Sequence, residues 1–102
     1  MRRAPKVDGN QPEIVEALRK AGAFVQSLAG VADGCPDLLV GYGGVTMVLE
    51  VKDGSLPPSA RRLTPDQLKW HCQWKGGPLA VVCDVESALR VLGVMCPPTK
   101  EQ

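Results

Sequence analysis

The strongest β-strand signal in the chain is the stretch VTMVLEVK, residues 45–52. Its odd-numbered positions are all apolar and its even-numbered positions are mostly polar, which is typical of a strand with one face in the core. The alternation puts Glu50 and Lys52 on the same face, with backbones about 7 Å apart. The preceding Gly43-Gly44 pair predicts a hairpin turn that joins this strand to a short apolar strand at residues 36–40.

Signals on both sides of this hairpin predict an α/β domain. We expect helices over residues 11–21 and 64–75 and after Asp84, strands at 23–28 and 79–83, and a loop over 53–62. Asn10 and the capping box Thr64-Pro65-Asp66-Gln67 provide the helix starts. The first three strands are expected to form a meander. The crossover helix allows the fully apolar fourth strand, predicted to be central, to pair with the third in parallel.

Composition limits the possible functions. The 102 residues are enough for one domain, and the 44% hydrophobic and 23% charged content is that of a globular protein. Only 4% of the residues are aromatic, which argues against a stacking platform for single-stranded nucleic acid. Four cysteines without C-x-x-C spacing and one histidine, His71, make a zinc site improbable, and we interpret the cysteines as reduced thiols. The sequence contains neither a secretory signal nor a membrane-spanning stretch, so we expect a cytoplasmic protein with no membrane partner.

The net charge of +1 does not by itself require a polyanionic partner, but the charges are unevenly distributed. Residues 21–51 contain three acidic side chains and no basic one, and the segments on either side of them are net basic. This is the distribution expected where carboxylates hold a cation and the flanking basic side chains hold phosphates.

Three charged groups are the main candidates for chemistry. Asp37 follows Pro36 at the start of one strand, and Glu50 and Lys52 lie at the end of the adjacent strand. Two carboxylates on neighbouring strand ends favour a hard cation such as Mg²⁺ or Mn²⁺, beside which Lys52 could orient the attacking water or neutralise transition-state charge. A Glu-x-Lys pair alone is more typical of a solvated ion pair on an edge strand than of a site. The apolar surroundings of these charges favour the site, because burying them without a partner is costly.

These motifs resemble the virus-type replication-repair nuclease (VRR-NUC) domain, a branch of the PD-(D/E)xK nuclease superfamily, in a stand-alone form typical of phage and bacteria. The resemblance covers residues 10–84 and rests on four motifs in family order, namely Glu13, Gly34-Cys35-Pro36-Asp37-Leu38-Leu39-Val40, Leu49-Glu50-Val51-Lys52 and Leu63-Thr64-Pro65-Asp66-Gln67. It implies a restriction-endonuclease-like αβββαβ core, with a mixed central sheet flanked by helices. The expected organisation is a flexible basic arm at residues 1–9, a nuclease domain at 10–94 and a tail at 95–102.

The resemblance also implies roles for individual residues. Asp37 and Glu50 would bind the divalent ion with the Val51 carbonyl, and Lys52 would be the catalytic lysine. Glu13 matches a helical acidic residue that binds or orients metal in the family, although a first-turn Glu is also favoured by the helix dipole alone. Gln67 matches an active-site glutamine and is also the last residue of the capping box, so its role is open between the two.

The predicted function is a metal-dependent, structure-selective DNA endonuclease that resembles Holliday junction resolvases and acts in a bacterial cell or a phage-infected host. Basic residues expected to contact the DNA backbone are Arg61, Arg62, Lys69 and Lys75, with Arg2, Arg3 and Lys6 on the arm. We expect a homodimer that cuts both strands symmetrically, with Trp70 and Trp74 as a possible subunit contact. His71 is interpreted as a helix surface residue. The alternatives are a non-cleaving DNA-binding or scaffold module with this fold and a sequence-specific restriction-type enzyme.

Overall fold

The computed structural model describes residues 8–95, which form a four-stranded mixed sheet with three α-helices. The elements in chain order are α1 (Gln11–Lys20), β1 (Phe24–Ser27), β2 (Leu38–Tyr42), β3 (Val45–Val51), a 3₁₀ turn (Pro58–Arg61), α2 (Pro65–Gln73), β4 (Leu79–Val82) and α3 (Val85–Met95). The predicted order of helices and strands is therefore confirmed, and the predicted 53–62 loop contains the 3₁₀ turn. The basic residues predicted on the arm, Arg2, Arg3 and Lys6, and residues 96–102 of the predicted tail lie outside the described residues.

The strands lie in the order β1-β2-β3-β4, with antiparallel pairing from β1 to β3 and parallel pairing between β3 and β4. The predicted meander and parallel pair are thus confirmed. Gly43 and Gly44 form the β2–β3 turn with φ values of 59° and 82°, a region where residues with a Cβ are strained.

The expectation that β4 is a central strand is wrong, because β4 forms one edge of the sheet. The side chains of β4 are apolar but only partly buried, and Val81 is 47% exposed. The crossover through α2 returns the chain to the free side of β3, and no described strand pairs with the other side of β4. A continuous apolar run therefore did not distinguish a central strand from an edge strand that has one face covered by α3.

The hydrophobic core lies on the sheet face that α1 and α3 cover. Its buried side chains come from both helices and from all four strands: Ile14, Leu18, Ala23, Val25, Leu38, Val40, Met47, Leu49, Val51, Val82, Ala88 and Leu92. On β3 these are the odd-numbered positions, so the even-numbered positions point to the opposite face, where α2 lies. None of the α2 residues is buried, in contrast to the apolar stripe of α1.

The helix starts agree only in part with the sequence. Asp84 caps α3 as expected, accepting a 2.7 Å hydrogen bond from Ser87 N, and Thr64 caps α2. Asn10 occupies the N-cap position of α1 without making a side-chain cap. Its Nδ2 instead donates to the carbonyl oxygens of Lys52 (3.2 Å) and Cys83 (3.0 Å), which ties the start of α1 to the ends of β3 and β4.

Within residues 8–95, none of the helices has the length and apolar character needed to cross a bilayer.

Candidate active site

The polar face of β3 ends at a small cavity lined by most of the residues predicted to be catalytic or metal-binding. The pairing of Leu38 with Leu49 places Asp37, one residue before β2, opposite Glu50. Lys52 follows β3 on the same face as Glu50, and α2 brings Gln67 over both. The cavity has a volume of about 220 Å³ and is lined by Asp8, Asp37, Glu50, Val51, Lys52, Thr64 and Gln67. The two carboxylates, the lysine and the glutamine that were predicted separately therefore share one cavity.

Asp37 is held by the backbone of the neighbouring strand. Its Oδ2 accepts a 2.7 Å hydrogen bond from Val51 N, and its own carbonyl accepts one of 2.7 Å from Leu28 N. The loop before it is packed against the start of α2, since a Cβ at Gly34, which has φ +79°, would collide with the Asp66 carbonyl. The loop that carries Asp37 and the helix that carries Gln67 are thus fixed relative to each other.

Glu50 is the most deeply buried charged side chain in the site, with 2% of its surface exposed. Burial raises its pKa to about 8, with further upward contributions from the charge of Asp37, a hydrogen bond to Asp37 and the charge of Asp8, while the charge of Lys52 opposes the shift. Near neutral pH the carboxyl group of Glu50 therefore retains its proton. A carboxylate pair that holds a proton in this way also has the oxygen atoms to hold a cation in its place.

Lys52 and Glu50 are both oriented by Gln67. Lys52 Nζ donates to Gln67 Oε1 (2.8 Å) and lies 4.0 Å from Glu50 Oε2, and Gln67 Nε2 donates to the same Oε2 (3.0 Å). Gln67 also completes the capping box, because its Oε1 accepts from Thr64 N (2.8 Å) and its backbone N donates to Thr64 Oγ1 (3.2 Å). Gln67 therefore makes both sets of contacts. The carbonyl end of the amide both caps α2 and binds Lys52, and the amino end holds Glu50.

Sequence analysis missed His71, which is not a surface residue. Its side chain is only 10% exposed, and its Nε2 lies 3.7 Å from Glu50 Oε1. Burial, and then the charge of Lys52, lower the pKa of the imidazole. The signal was present in the helical spacing, since His71 lies four residues after Gln67 and therefore on the same side of α2.

Asp8 was also missed as a site residue. Sequence analysis assigned it to a basic arm, whereas its side chain lines the cavity and its carbonyl accepts a 3.0 Å hydrogen bond from Gln11 N before α1. Nothing in its local sequence predicts this position, because the contact depends on how the start of α1 packs against the ends of β3 and β4.

The structure does not bring Glu13 to the cavity. Glu13 is exposed in the first turn of α1 and does not line the cavity, a position in which the helix dipole alone favours an acidic residue. The first-turn interpretation therefore accounts for Glu13 without a metal.

The predicted DNA contacts lie outside the cavity. Arg62, Lys69 and Lys75 are exposed, whereas Arg61, at the end of the 3₁₀ turn, is half-buried with its Nε lacking a hydrogen-bond partner. Arg61 and Arg62 lie three to four residues before Pro65, where α2 begins. The predicted cationic contacts are therefore separate from the acidic side chains that line the cavity.

Trp70 and Trp74 stack on one side of α2, with ring centroids 5.1 Å apart and planes inclined by 16°. Both rings are half-buried, and Trp74 Nε1 donates to Gly77 O (2.6 Å). The pair thus packs against the loop that follows α2.

A second cavity of about 350 Å³ adjoins the first, and Asp37 and Gln67 line both. Its other wall is the loop between β1 and β2, formed by Leu28, Ala29, Gly30, Ala32, Asp33, Gly34 and Cys35. The carboxylate of Asp37 is therefore accessible from two neighbouring cavities, and the site is open to a ligand larger than an ion.

The oxygen atoms at the site fit a magnesium-like ion. Residues 8–95 contain no group of three or more His, Cys, Asp or Glu side chains with the geometry of a metal site, so side chains alone do not form a complete shell. Asp37 and Glu50 provide a carboxylate pair, and Val51 lies on the cavity wall. Two carboxylates with water in the remaining positions is the ligand set that Mg²⁺ commonly uses in proteins.

Comparisons of this chain with protein-family models, with curated proteins and with solved structures gave no significant match.

Proposed function

We propose that this protein is a metal-dependent DNA endonuclease of the VRR-NUC type, with the αβββαβ core of the PD-(D/E)xK nucleases. The single observation that carries the proposal is the convergence of Asp37, Glu50, Lys52 and Gln67 on one cavity. These residues come from three separate segments of the chain. A solvated Glu-x-Lys ion pair would not be buried, nor would it have a second carboxylate and an amide aligned on it.

In this proposal Asp37 and Glu50 hold a divalent cation, Mg²⁺ or Mn²⁺, with the Val51 carbonyl as a further oxygen ligand. The bound cation would polarise the scissile phosphate and lower the pKa of a water molecule. Asp37 is oriented for this role by Val51 N, and Glu50 is oriented by Gln67 Nε2. The backbone and the amide thus fix both carboxylates before any ligand arrives, which reduces the cost of assembling the site.

Lys52 would stabilise the negative charge that builds up on the phosphate during hydrolysis. Its ammonium group has three hydrogen atoms, and one of them is directed to Gln67 Oε1. The other two are available for the phosphate or the attacking water, because Lys52 lines the cavity. Preorganised donors of this kind contribute because they need no reorganisation as charge develops.

The cavity of about 220 Å³ is suited to a phosphate group and its waters, so most of the DNA would bind outside it. Arg61, Arg62, Lys69 and Lys75 are the proposed contacts to the DNA backbone, and we propose branched or four-way DNA as the substrate. Each chain has one such site, so symmetrical cleavage of both strands of a junction would require a homodimer.

An incision assay tests this proposal. The protein would be incubated with single-stranded, flap, nicked and four-way DNA in Mg²⁺, Mn²⁺ or chelator, alongside the variants Lys52→Ala and Asp37→Ala. We expect metal-dependent cleavage of branched DNA that each variant lowers by about 10²–10³-fold, the usual effect of removing one group that stabilises transition-state charge.

Lys20→Ala and Glu16→Ala are matched controls, because they remove an exposed ion pair on α1 outside the cavity. Both should cut like the unmodified protein. Cleavage that persists in Lys52→Ala and Asp37→Ala would contradict the site assignment. Tight binding of four-way DNA without cleavage in either metal would favour the non-cleaving binding module instead.

A further inference from the structure

The two oxygen atoms of Glu50 have different surroundings. Oε2 accepts a hydrogen bond from Gln67 Nε2 (3.0 Å) and lies 4.0 Å from Lys52 Nζ. Oε1 is buried, receives no hydrogen bond from any N–H group and faces His71 Nε2 at 3.7 Å. His71 Nε2 is itself buried without a hydrogen-bond partner. Two unsatisfied polar atoms thus face each other in a part of the site that solvent does not reach.

Such a pair needs an explanation, because a buried polar atom without a partner costs about 1–3 kcal/mol and a buried charge costs more. As a ligand of the proposed cation, Glu50 would be a buried carboxylate, and both of its oxygen atoms would need partners. Its Oε1 then needs a hydrogen-bond donor, and the buried group opposite it is the imidazole of His71.

We propose, on the basis of the function proposed above, that His71 is a positioning residue whose imidazole donates its Nε2–H to Glu50 Oε1 in the metal-loaded protein. The separation of 3.7 Å exceeds the upper limit of a good N–H···O bond by about half an ångström. A small rotation of either side chain closes this gap. Helix α2 then holds both oxygens of Glu50, with Gln67 on Oε2 and His71 on Oε1.

The position of His71 on α2 favours this pairing, because its Nε2 is buried and faces the buried Oε1. The four-residue spacing from Gln67 to His71 places the two donors one turn apart on α2, which suits the two oxygens of a single carboxylate.

The proposed bond orients Glu50, a proposed metal ligand, without contacting the metal itself. Its loss should weaken metal binding about 10–100-fold, the usual effect of removing such a partner. Calorimetric titration with Mn²⁺ alone measures this without DNA. His71→Phe retains a ring but has no donor and should show the loss. His71→Gln places an amide N–H near the position of Nε2 and should recover most of the affinity. Gln73→Ala, an exposed change on the same helix that does not line the cavity, should bind like the unmodified protein.

A spectroscopic measurement on the unmodified protein keeps the test independent of how the variants fold. The ¹⁵N shifts of the His71 imidazole, measured in the protein loaded with Mg²⁺ instead of Mn²⁺, should identify a ring protonated on Nε2. A ring protonated on Nδ1 alone would overturn the proposal. So would equal Mn²⁺ affinity in His71→Phe and the unmodified protein, or a His71→Gln variant as weak as His71→Phe, which would indicate a packing role.

The outcomes also separate this inference from the function on which it depends. If the unmodified protein binds Mn²⁺ and cuts DNA while His71→Phe binds equally well, only the role of His71 is overturned. If the unmodified protein binds neither Mn²⁺ nor Mg²⁺, the proposed nuclease and the role of His71 are both overturned.

Discussion

The two faces of the sheet differ in what they bury. The face covered by α1 and α3 contains only apolar side chains in its buried cluster, whereas the α2 face contains Glu50, a carboxyl group with 2% exposure. Strand β3 serves both faces, because alternate residues such as Leu49 and Glu50 point in opposite directions. One strand thus supplies the centre of the core and the centre of the site.

The two faces therefore contribute differently to the stability of the fold. Full burial of a leucine side chain contributes about 1.5–3 kcal/mol, whereas burial of a carboxyl group opposes folding unless partners satisfy it. Helix α2 has no buried residue, and its contacts with Glu50 and Lys52 are polar. The core face therefore stabilises the fold. That stability offsets the cost of holding charged groups close together on the α2 face.

The largest expected effect on folding comes from the core side of β3. Leu49→Ala removes a fully buried side chain and should lower the free energy of unfolding by about 2–5 kcal/mol. Leu68→Ala on α2, where the side chain is 52% exposed, should change it by less than about 0.5 kcal/mol. Urea unfolding followed by circular dichroism measures both. Equal losses in the two variants would remove the distinction between the faces.

The site face should instead make stability depend on pH. Because the pKa of Glu50 is raised from 4.5 to about 8 in the folded protein, the folded state holds its proton more tightly than the unfolded state does. This contribution is fully present below pH 4.5 and is lost as the pH rises towards 8, with a slope of at most about 1.4 kcal/mol per pH unit for one proton.

Denaturant unfolding in chelator between pH 5 and 8.5 measures this slope, and Glu50→Gln should flatten it. Glu86→Gln, which removes an exposed carboxylate of an ion pair on α3, is the matched control and should leave the slope unchanged. A slope that Glu50→Gln leaves unchanged would contradict the burial of Glu50 in its protonated form.

Gln67 links the two functions, so its loss should affect both. Gln67→Ala removes half of a capping box and should cost about 1 kcal/mol, and it should also lower cleavage because Lys52 and Glu50 lose their shared partner. Asp84→Ala removes the cap of α3, on the other face, and should cost a similar amount of stability. If Gln67→Ala has the same specific activity as Asp84→Ala, the role of Gln67 at the site is wrong.

The smallest effect is expected from the basic residues outside the cavity. Replacing Arg61 and Arg62 together with alanine should weaken DNA binding and reduce the slope of log affinity against log salt by about 2, because two phosphate contacts are lost. Fluorescence anisotropy at several salt concentrations measures the slope. Lys20 and Arg90, exposed on α1 and α3, form the control pair. An unchanged slope in the Arg61–Arg62 variant would place the DNA elsewhere.

The parts of the site that the sequence predicted depend on local periodicity. Strict alternation over residues 45–52 placed Glu50 and Lys52 on one face, and the Gly43-Gly44 turn fixed the register that brings Asp37 opposite Glu50. Both signals depend on residues close together in the sequence, so packing between distant segments does not change what they predict. The same holds for the Thr64 capping box.

The parts that the sequence did not predict depend on packing between distant segments. His71 is at the site because α2 presents that side to β3, and Asp8 is there because α1 begins at the ends of β3 and β4. Asn10 is a residue type that commonly caps helices, but its side chain donates hydrogen bonds to the carbonyl oxygens of Lys52 and Cys83 instead. These contacts follow from the arrangement of whole elements, which no local pattern specifies.

The most direct test of the account is the number of protons released when the metal binds. Titration calorimetry with Mn²⁺ at pH 7, repeated in buffers of different ionisation enthalpy, gives this number. We predict one bound ion and the release of about one proton, because Glu50 is mostly protonated at this pH and the cation takes the place of its proton. Asp37→Asn and Glu50→Gln should abolish the release. Binding without proton release, or equal binding in both variants, would contradict the proposal that the α2 face of the sheet is a metal-dependent active site.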